Sequence, residues 1–258
     1  MIIMLRPKKI LKAAAFFTLL VICVLPLSDE RIMAAYAGYS MRKLPVYSVE
    51  TDKKMVCLTF DAAWGADKTQ KIIDLISGNE IKATFFLTGF WIDKYEEEVK
   101  MLNAAGIETE NHSENHPDMT KLSKERMRSE LLSVNKKLKA LTGKETRYFR
   151  PPFGSYNDKL IETAEEVGLT VVQWDVDSLD WKDNKTSTIV NRVLSKVRNG
   201  SIILFHNNSD FVWEAVGILI PTLKNMGYEF ALISELVATQ NYTIDHTGRQ
   251  TINKNDIS

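Results

Sequence analysis

Residues 55–61 read Met55-Val56-Cys57-Leu58-Thr59-Phe60-Asp61. The run is apolar almost throughout, with none of the alternation of a half-exposed strand. That pattern predicts a strand covered on both faces, the kind found inside a parallel sheet. Similar short segments recur outward from it. Residues 82–87, 107–111, 148–149, 169–174, 201–205 and 229–233 also read as strands. Between them, apolar residues at helical spacing predict helices over 67–76, 95–105, 123–141, 158–167, 188–198 and 213–226. Ser123 is a natural N-cap, and glycines after several of the periodic segments are natural stops. Seven strands alternating with helices predict an α/β fold with a parallel sheet covered by helices. At this length a (β/α) barrel of about seven parallel strands is favoured over an open sheet.

The composition agrees. The chain has 258 residues, 45% hydrophobic and 26% charged, which is enough apolar material for a core and excludes wholesale disorder. Lys+Arg and Asp+Glu are 33 each, and this balance argues against a nucleic-acid partner. Two cysteines, Cys23 and Cys57, exclude a disulfide framework and a four-cysteine zinc site. Arg6, Lys8, Lys9 and Lys12 precede an apolar run over 13–27, the layout of an export signal. Residues 1–37 are therefore expected to be a signal peptide or membrane anchor, with Ala35-Tyr36-Ala37 as a cleavage site. The basic residues before the run place the remainder outside the membrane. Residues 38–52 read as a linker, 53–238 as the catalytic domain, and 239–258 as a loose polar tail.

In a parallel barrel, sites form at the C-terminal ends of the strands. The residues that follow the expected strands carry chemistry. The first strand ends Thr59-Phe60-Asp61. The third runs into His112-Ser113-Glu114-Asn115-His116-Pro117. The next leads into Arg150-Pro151-Pro152-Phe153-Gly154. Asp177-Ser178-Leu179-Asp180-Trp181 follows the fifth, and the sixth ends Leu204-Phe205-His206. Each alone has a structural explanation, as a cap, an ion pair or a surface residue. Together they put acids, bases and possible ligands at one rim. His112 and His116 are four apart, which lets two imidazoles reach one metal, and Pro117 sets that pair on a loop.

These five segments, in this order, resemble the motifs of the polysaccharide deacetylase (NodB-homology) family, carbohydrate esterase family 4. The resemblance implies a distorted (β/α) barrel and metal-dependent removal of acetyl groups from N-acetylated sugars of a polysaccharide. Cell-wall peptidoglycan is the expected glycan. It implies a divalent metal, zinc with cobalt or nickel as alternatives, held by His112 and His116. It also implies Asp61 as general base, oriented by Arg150, and the Phe153 N–H as oxyanion donor. His206 would be the general acid, charged by Asp180, with Trp181 and Leu204 lining the acetyl pocket. The expected partners are the glycan polymer and, if the N-terminal segment is not cleaved, the membrane.

The chain departs from the family pattern at Ala62. The family carries a second aspartate there as a metal ligand, and alanine has no donor. A catalytic zinc normally has three protein ligands. Residues two apart in a strand share a face, so Glu110 is a possible third ligand beside His112. The alternative that Ala62 opens is a degenerate relative that binds glycan without turnover.

Overall fold

The computed structural model describes residues 42–182 and 185–253. The export segment expected over 1–37 lies outside the described residues. From Lys43 onward the chain forms one unit.

In chain order the strands and helices are β1 Ser48–Val49, β2 Met55–Ala62, α1 Thr69–Gly78, β3 Thr84–Leu87, α2 Gly89–Lys94, α3 Glu96–Ala104, β4 Glu108–Asn111, α4 Lys124–Thr142 and β5 Tyr148–Phe149. They continue with α5 Asp158–Glu166, β6 Thr170–Val171, β7 Val176–Asp177, α6 Thr186–Leu194, β8 Ser201–His206, α7 Val212–Asn225, β9 Glu229–Phe230, α8 Ile233–Leu236, β10 Tyr242–Ile244 and β11 Arg249–Ile252. The strands form one curled sheet in the order β10-β11-β1-β8-β2-β3-β4-β5-β6, with β7 on β8 and β9 on β2. The pairings from β8 to β6 are all parallel. This is the expected α/β barrel-like architecture.

β2 is central, between β8 and β3, which is why both of its faces are apolar. Val56, Leu58, Phe60 and Ala62 belong to the cluster between sheet and helices. Cys57 belongs to a second cluster, with Val46, Phe86, Tyr148 and Ile202. Alternation along β2 then assigns Thr59 and Asp61 to the face of Cys57. β8 pairs with β2 so that Cys57 meets Ile202, Thr59 meets Leu204 and Asp61 meets His206. This register brings two chemically active side chains to one rim.

Several expectations are corrected. The strand expected over 169–174 is only two residues long, because after the Val172 N–H bonds to Phe149 O the chain pairs with Val46 and then crosses to β8 as β7. The helix expected over 95–105 is preceded by α2, separated from α3 by Tyr95. Residues 43–49 are not a linker. Val46 donates its N–H to Val171 O, accepts from Gln173 N, and is completely buried. β1 then pairs antiparallel with β8, so this segment spans the seam of the barrel.

The polar tail is not loose as far as residue 252. β10 and β11 form an antiparallel hairpin, and β11 pairs parallel with β1. Gln250 is buried, with its side-chain amide bonded to both the N–H and the carbonyl of Ala238. Backbone pairing and a satisfied buried amide order a segment whose composition carries no apolar signal.

Candidate active site

A cavity of about 610 Å³ opens at the C-terminal rim of the parallel strands. Asp61, His112, His116, Trp181, Leu204 and His206 all line it. Segments more than a hundred residues apart therefore meet at one place.

Asp61 ends the inward row of β2. Its Oδ1 accepts from Arg150 Nη1 at 2.8 Å, and the same guanidinium donates to Thr59 Oγ1 at 2.9 Å. Arg150 is completely buried and lies 4.1 Å from the Phe86 ring centroid. Burial works to raise the Asp61 pKa, but Arg150, with His112 and His206, holds it below the ordinary carboxylate value. Asp61 is therefore a carboxylate with one oxygen fixed and the other, Oδ2, directed toward His112 Nε2 at 3.6 Å.

His206 sits opposite Asp61 across the ladder. Its Nδ1 donates to Asp180 Oδ1 at 2.8 Å, and its backbone N–H donates to Asp180 Oδ2 at 2.8 Å. Burial pulls its pKa down, but the Asp180 bond and charge outweigh that and raise it. The imidazole is thus held by one carboxylate that favours its protonated form.

The His112–His116 segment is a loop, as Pro117 implies. Ser113 and His116 have φ of 70° and 53°, a conformation that L-residues resist. Side chains stabilise it. Asn111 Oδ1 accepts the Ser113 N–H, Ser113 Oγ accepts the His116 N–H, and the buried Glu130 carboxylate takes two bonds from Asn115 at 2.8 Å each. His112 Nδ1 is 2.7 Å from the Arg150 carbonyl, which only a protonated Nδ1 can satisfy. Nε2 is left with its lone pair toward the cavity. The His116 ring is packed edge-on by Trp64, Phe153 and His112, with centroids 4.9, 4.6 and 4.9 Å away. Burial, with the neighbouring His112, pushes its pKa down to about 4.

Phe153 has φ 60° and a largely exposed ring. Phe153 lines the cavity at its Pro152–Gly154 turn.

A divalent cation would meet two neutral imidazoles and no adequate third donor. Ala62 is completely buried and packs with the outer cluster, while the neighbouring Ala63 lines the cavity. Neither carries a donor atom. Among the described residues no group of three His, Cys, Asp or Glu side chains stands in metal-holding geometry. Glu110 does not fill the gap. Its Oε2 accepts the N–H groups of Arg147 and Tyr148 at 2.9 and 3.0 Å, and it does not line the cavity. Alternation gave its face correctly, but it lies deeper, committed to the backbone of β5. The residues present do not fit a three-ligand metal centre.

Burial pushes the Glu110 pKa up to about 8, against the two backbone bonds that lower it. Its contribution to stability is complete below the ordinary value near 4.5 and is lost as pH rises through about 8. Each unit of such a shift is worth about 1.4 kcal/mol, so the loss amounts to a few kcal/mol. Calorimetry of Glu110→Gln is expected to show a melting temperature above wild type at pH 9 and near it at pH 5. Parallel curves for the two proteins would refute this.

Trp64 has no role in the expectations above, although it lines the cavity beside His116. It lies just beyond the end of β2, so reading strand ends two residues further would have found it. His246 lies in the β10–β11 turn, away from these groups in the chain.

The polysaccharide deacetylase family model matches residues 48–172. The peptidoglycan-N-acetylglucosamine deacetylase of Bacillus cereus is 32% identical over 197 residues, covering 75% of this chain and 72% of that protein. The chain belongs to the polysaccharide deacetylase family. Another member, the uncharacterized protein YlxY of Bacillus subtilis, is 35% identical over 198 residues. That match covers 77% of this chain but only 62% of YlxY, less than two thirds of its length. Among solved members, the Bc1960 peptidoglycan N-acetylglucosamine deacetylase matches with a TM-score of 0.73 and 31% identity, covering 76% of this chain and 93% of that one. BA3943 of Bacillus anthracis, a family 4 pseudoenzyme, matches with a TM-score of 0.72 and 35% identity, over 74% and 68% of the two chains. A mutant of BA3943 has restored enzymatic activity.

Proposed function

We propose that the chain is an extracytoplasmic N-deacetylase of the polysaccharide deacetylase family, acting on N-acetylated sugars of cell-wall peptidoglycan. The observation that carries this reading is the register of β2 and β8. It sets Asp61 and His206 side by side over one cavity, each paired with its own counter-ion.

The chemistry of an amide needs a base for water and an acid for the departing amine. Asp61 Oδ2 is the available base, because Oδ1 is held by Arg150. His206 is the acid, kept charged by Asp180. The Phe153 N–H is the proposed donor to the developing oxyanion, since Phe153 lines the same cavity. Leu204 and Trp181 supply apolar surface for an acetyl methyl. His112 and His116 are the residues toward which zinc, cobalt or nickel would turn. With two ligands in place of three, such binding is expected to be weak and turnover slow. The proposed location is outside the cytoplasmic membrane, held to it by residues 1–37 if these are not removed. No helix among the described residues is long and apolar enough to cross a membrane.

A second reading has a specific observation behind it. Ala62 and Ala63 offer no donor, and BA3943, a pseudoenzyme, is a structural relative. The domain would then bind glycan without hydrolysing it. Acetate release by the full-length chain from N-acetylglucosamine oligomers and peptidoglycan, with each metal and with chelator, separates the two. Slow, chelator-sensitive release supports the enzyme, and none with any metal supports the binder. Aspartate introduced at position 62, and separately at 63, tests the missing ligand. One of these variants is expected to bind Zn²⁺ at least tenfold more tightly, the order found when a site's ligand environment is completed. Unchanged zinc affinity in both would show that the shortage lies elsewhere.

A further inference from the structure

The three most exposed large apolar side chains among the described residues are Phe153 (67%), Trp64 (63%) and Trp181 (59%). All three line the one cavity that holds Asp61 and His206. Exposed apolar residues are ordinarily scattered singly over a surface, and their convergence on one mouth marks a place where something docks. Trp64 is backed by other rings. It meets His116 edge-on and tilts against Phe90 at 6.2 Å between centroids. Its indole is thus supported from behind and still open to solvent.

Trp64 and Trp181 belong to different parts of the rim. Trp64 follows β2, and Trp181 follows β7. Both strands pair with β8, so His206 stands at the end of the strand between them. Strands lie about 4.8 Å apart, which separates the ends of β7 and β2 by roughly 10 Å. That span exceeds one pyranose ring. Asp177, Asn208 and Ser209 line the same cavity and supply hydrogen-bonding groups among the rings. Flat apolar faces with polar groups between them suit sugars, which have apolar C–H faces and polar edges.

We propose that Trp64 is a second sugar-stacking platform, so that the site takes a glycan of at least two linked pyranoses, one over Trp64 and one beside Trp181. This rests on the glycan reading above and extends it to the length of the ligand and the residue that measures it. It does not depend on turnover.

Calorimetric titration of the full-length chain with N-acetylglucosamine as monomer, dimer and tetramer tests it. Affinity is expected to rise at least about tenfold from monomer to tetramer. Trp64→Ala should lose about that factor for the tetramer and much less for the monomer, and Trp64→Phe should recover most of it. Because the indole is largely exposed, its removal should leave the melting temperature nearly unchanged. Tetramer binding by Trp64→Ala within twofold of wild type would overturn the inference, as would equal wild-type affinity for monomer and tetramer. A wild-type chain that binds no oligomer overturns both this inference and the glycan reading. Length-dependent, Trp64-dependent binding without acetate release leaves this inference standing and removes only the turnover.

Discussion

Arg150→Met is expected to destabilise the domain by about 3–5 kcal/mol, the usual cost of stranding one member of a buried ion pair. Arg150 has no solvent exposure and Asp61 almost none. Four contacts converge on the guanidinium: Asp61, Thr59 Oγ1, the Gln173 carbonyl and the face of Phe86. Methionine keeps the length and the packing against Phe86 but leaves the Asp61 carboxylate buried and unpaired. Its pKa must then rise from its depressed value. In the wild type, the stability contributed by Asp61 is present above about 3.8 and lost as pH falls through the lower folded value. In Arg150→Met burial acts on Asp61 without its counter-ion, so the loss should be largest near neutral pH and shrink as pH falls and the carboxyl takes up a proton. Denaturant unfolding across pH measures both effects. The double variant Arg150→Met/Asp61→Asn should recover part of the loss, because neither charge then remains to be stranded. A single-variant loss below 1.5 kcal/mol, a figure set well under the usual range for a buried pair, would show that the pair is not the keystone of this rim.

His206→Gln is expected to lower acetate release by about 10²–10⁴-fold, the range associated with a positioned general acid. The glutamine amide can still donate to Asp180, and the backbone bond from residue 206 to Asp180 is untouched, so the strand end should keep its shape. What disappears is the proton delivered to the leaving amine. The raised pKa of His206 also sets the direction of the wild-type profile. Release should persist through neutral pH and fall as alkali removes that proton, and the limb should vanish in His206→Gln. Glycan affinity should change little. A variant within tenfold of wild type, measured in the chain carrying the better of the two added aspartates as well as in wild type, would remove His206 from the reaction.

Much of this rim is legible in the sequence because β2 is central. Its unbroken apolar run identifies a strand buried on both faces, and the polar residue at its end has nowhere to go but the rim. Asp61 is legible for that reason, while His206 and Arg150 are legible because they follow the apolar runs of β8 and β5. Depth is harder to read than face. A period of two assigns Glu110 to the side of His112 but says nothing of the layer, and the free amides of Arg147 and Tyr148 take its carboxylate below the cavity. The segment 43–49 and the hairpin are held mainly by backbone pairing, which leaves little mark in side-chain composition. β7 escapes for the same reason, since two residues carry no periodicity. Trp64 follows Ala62 and Ala63, where the departure from the family pattern draws the eye to what is missing.

The hairpin has one further consequence. Without it, β1 would present a naked row of amides and carbonyls, a template on which another chain can polymerise. β11 occupies that row, and the outermost strand becomes β10, only three residues long and ended by the Asp245–Gly248 turn. The hairpin thus shields the edge of β1, and trimming the chain at residue 238 is expected to raise its tendency to associate, read by size-exclusion chromatography.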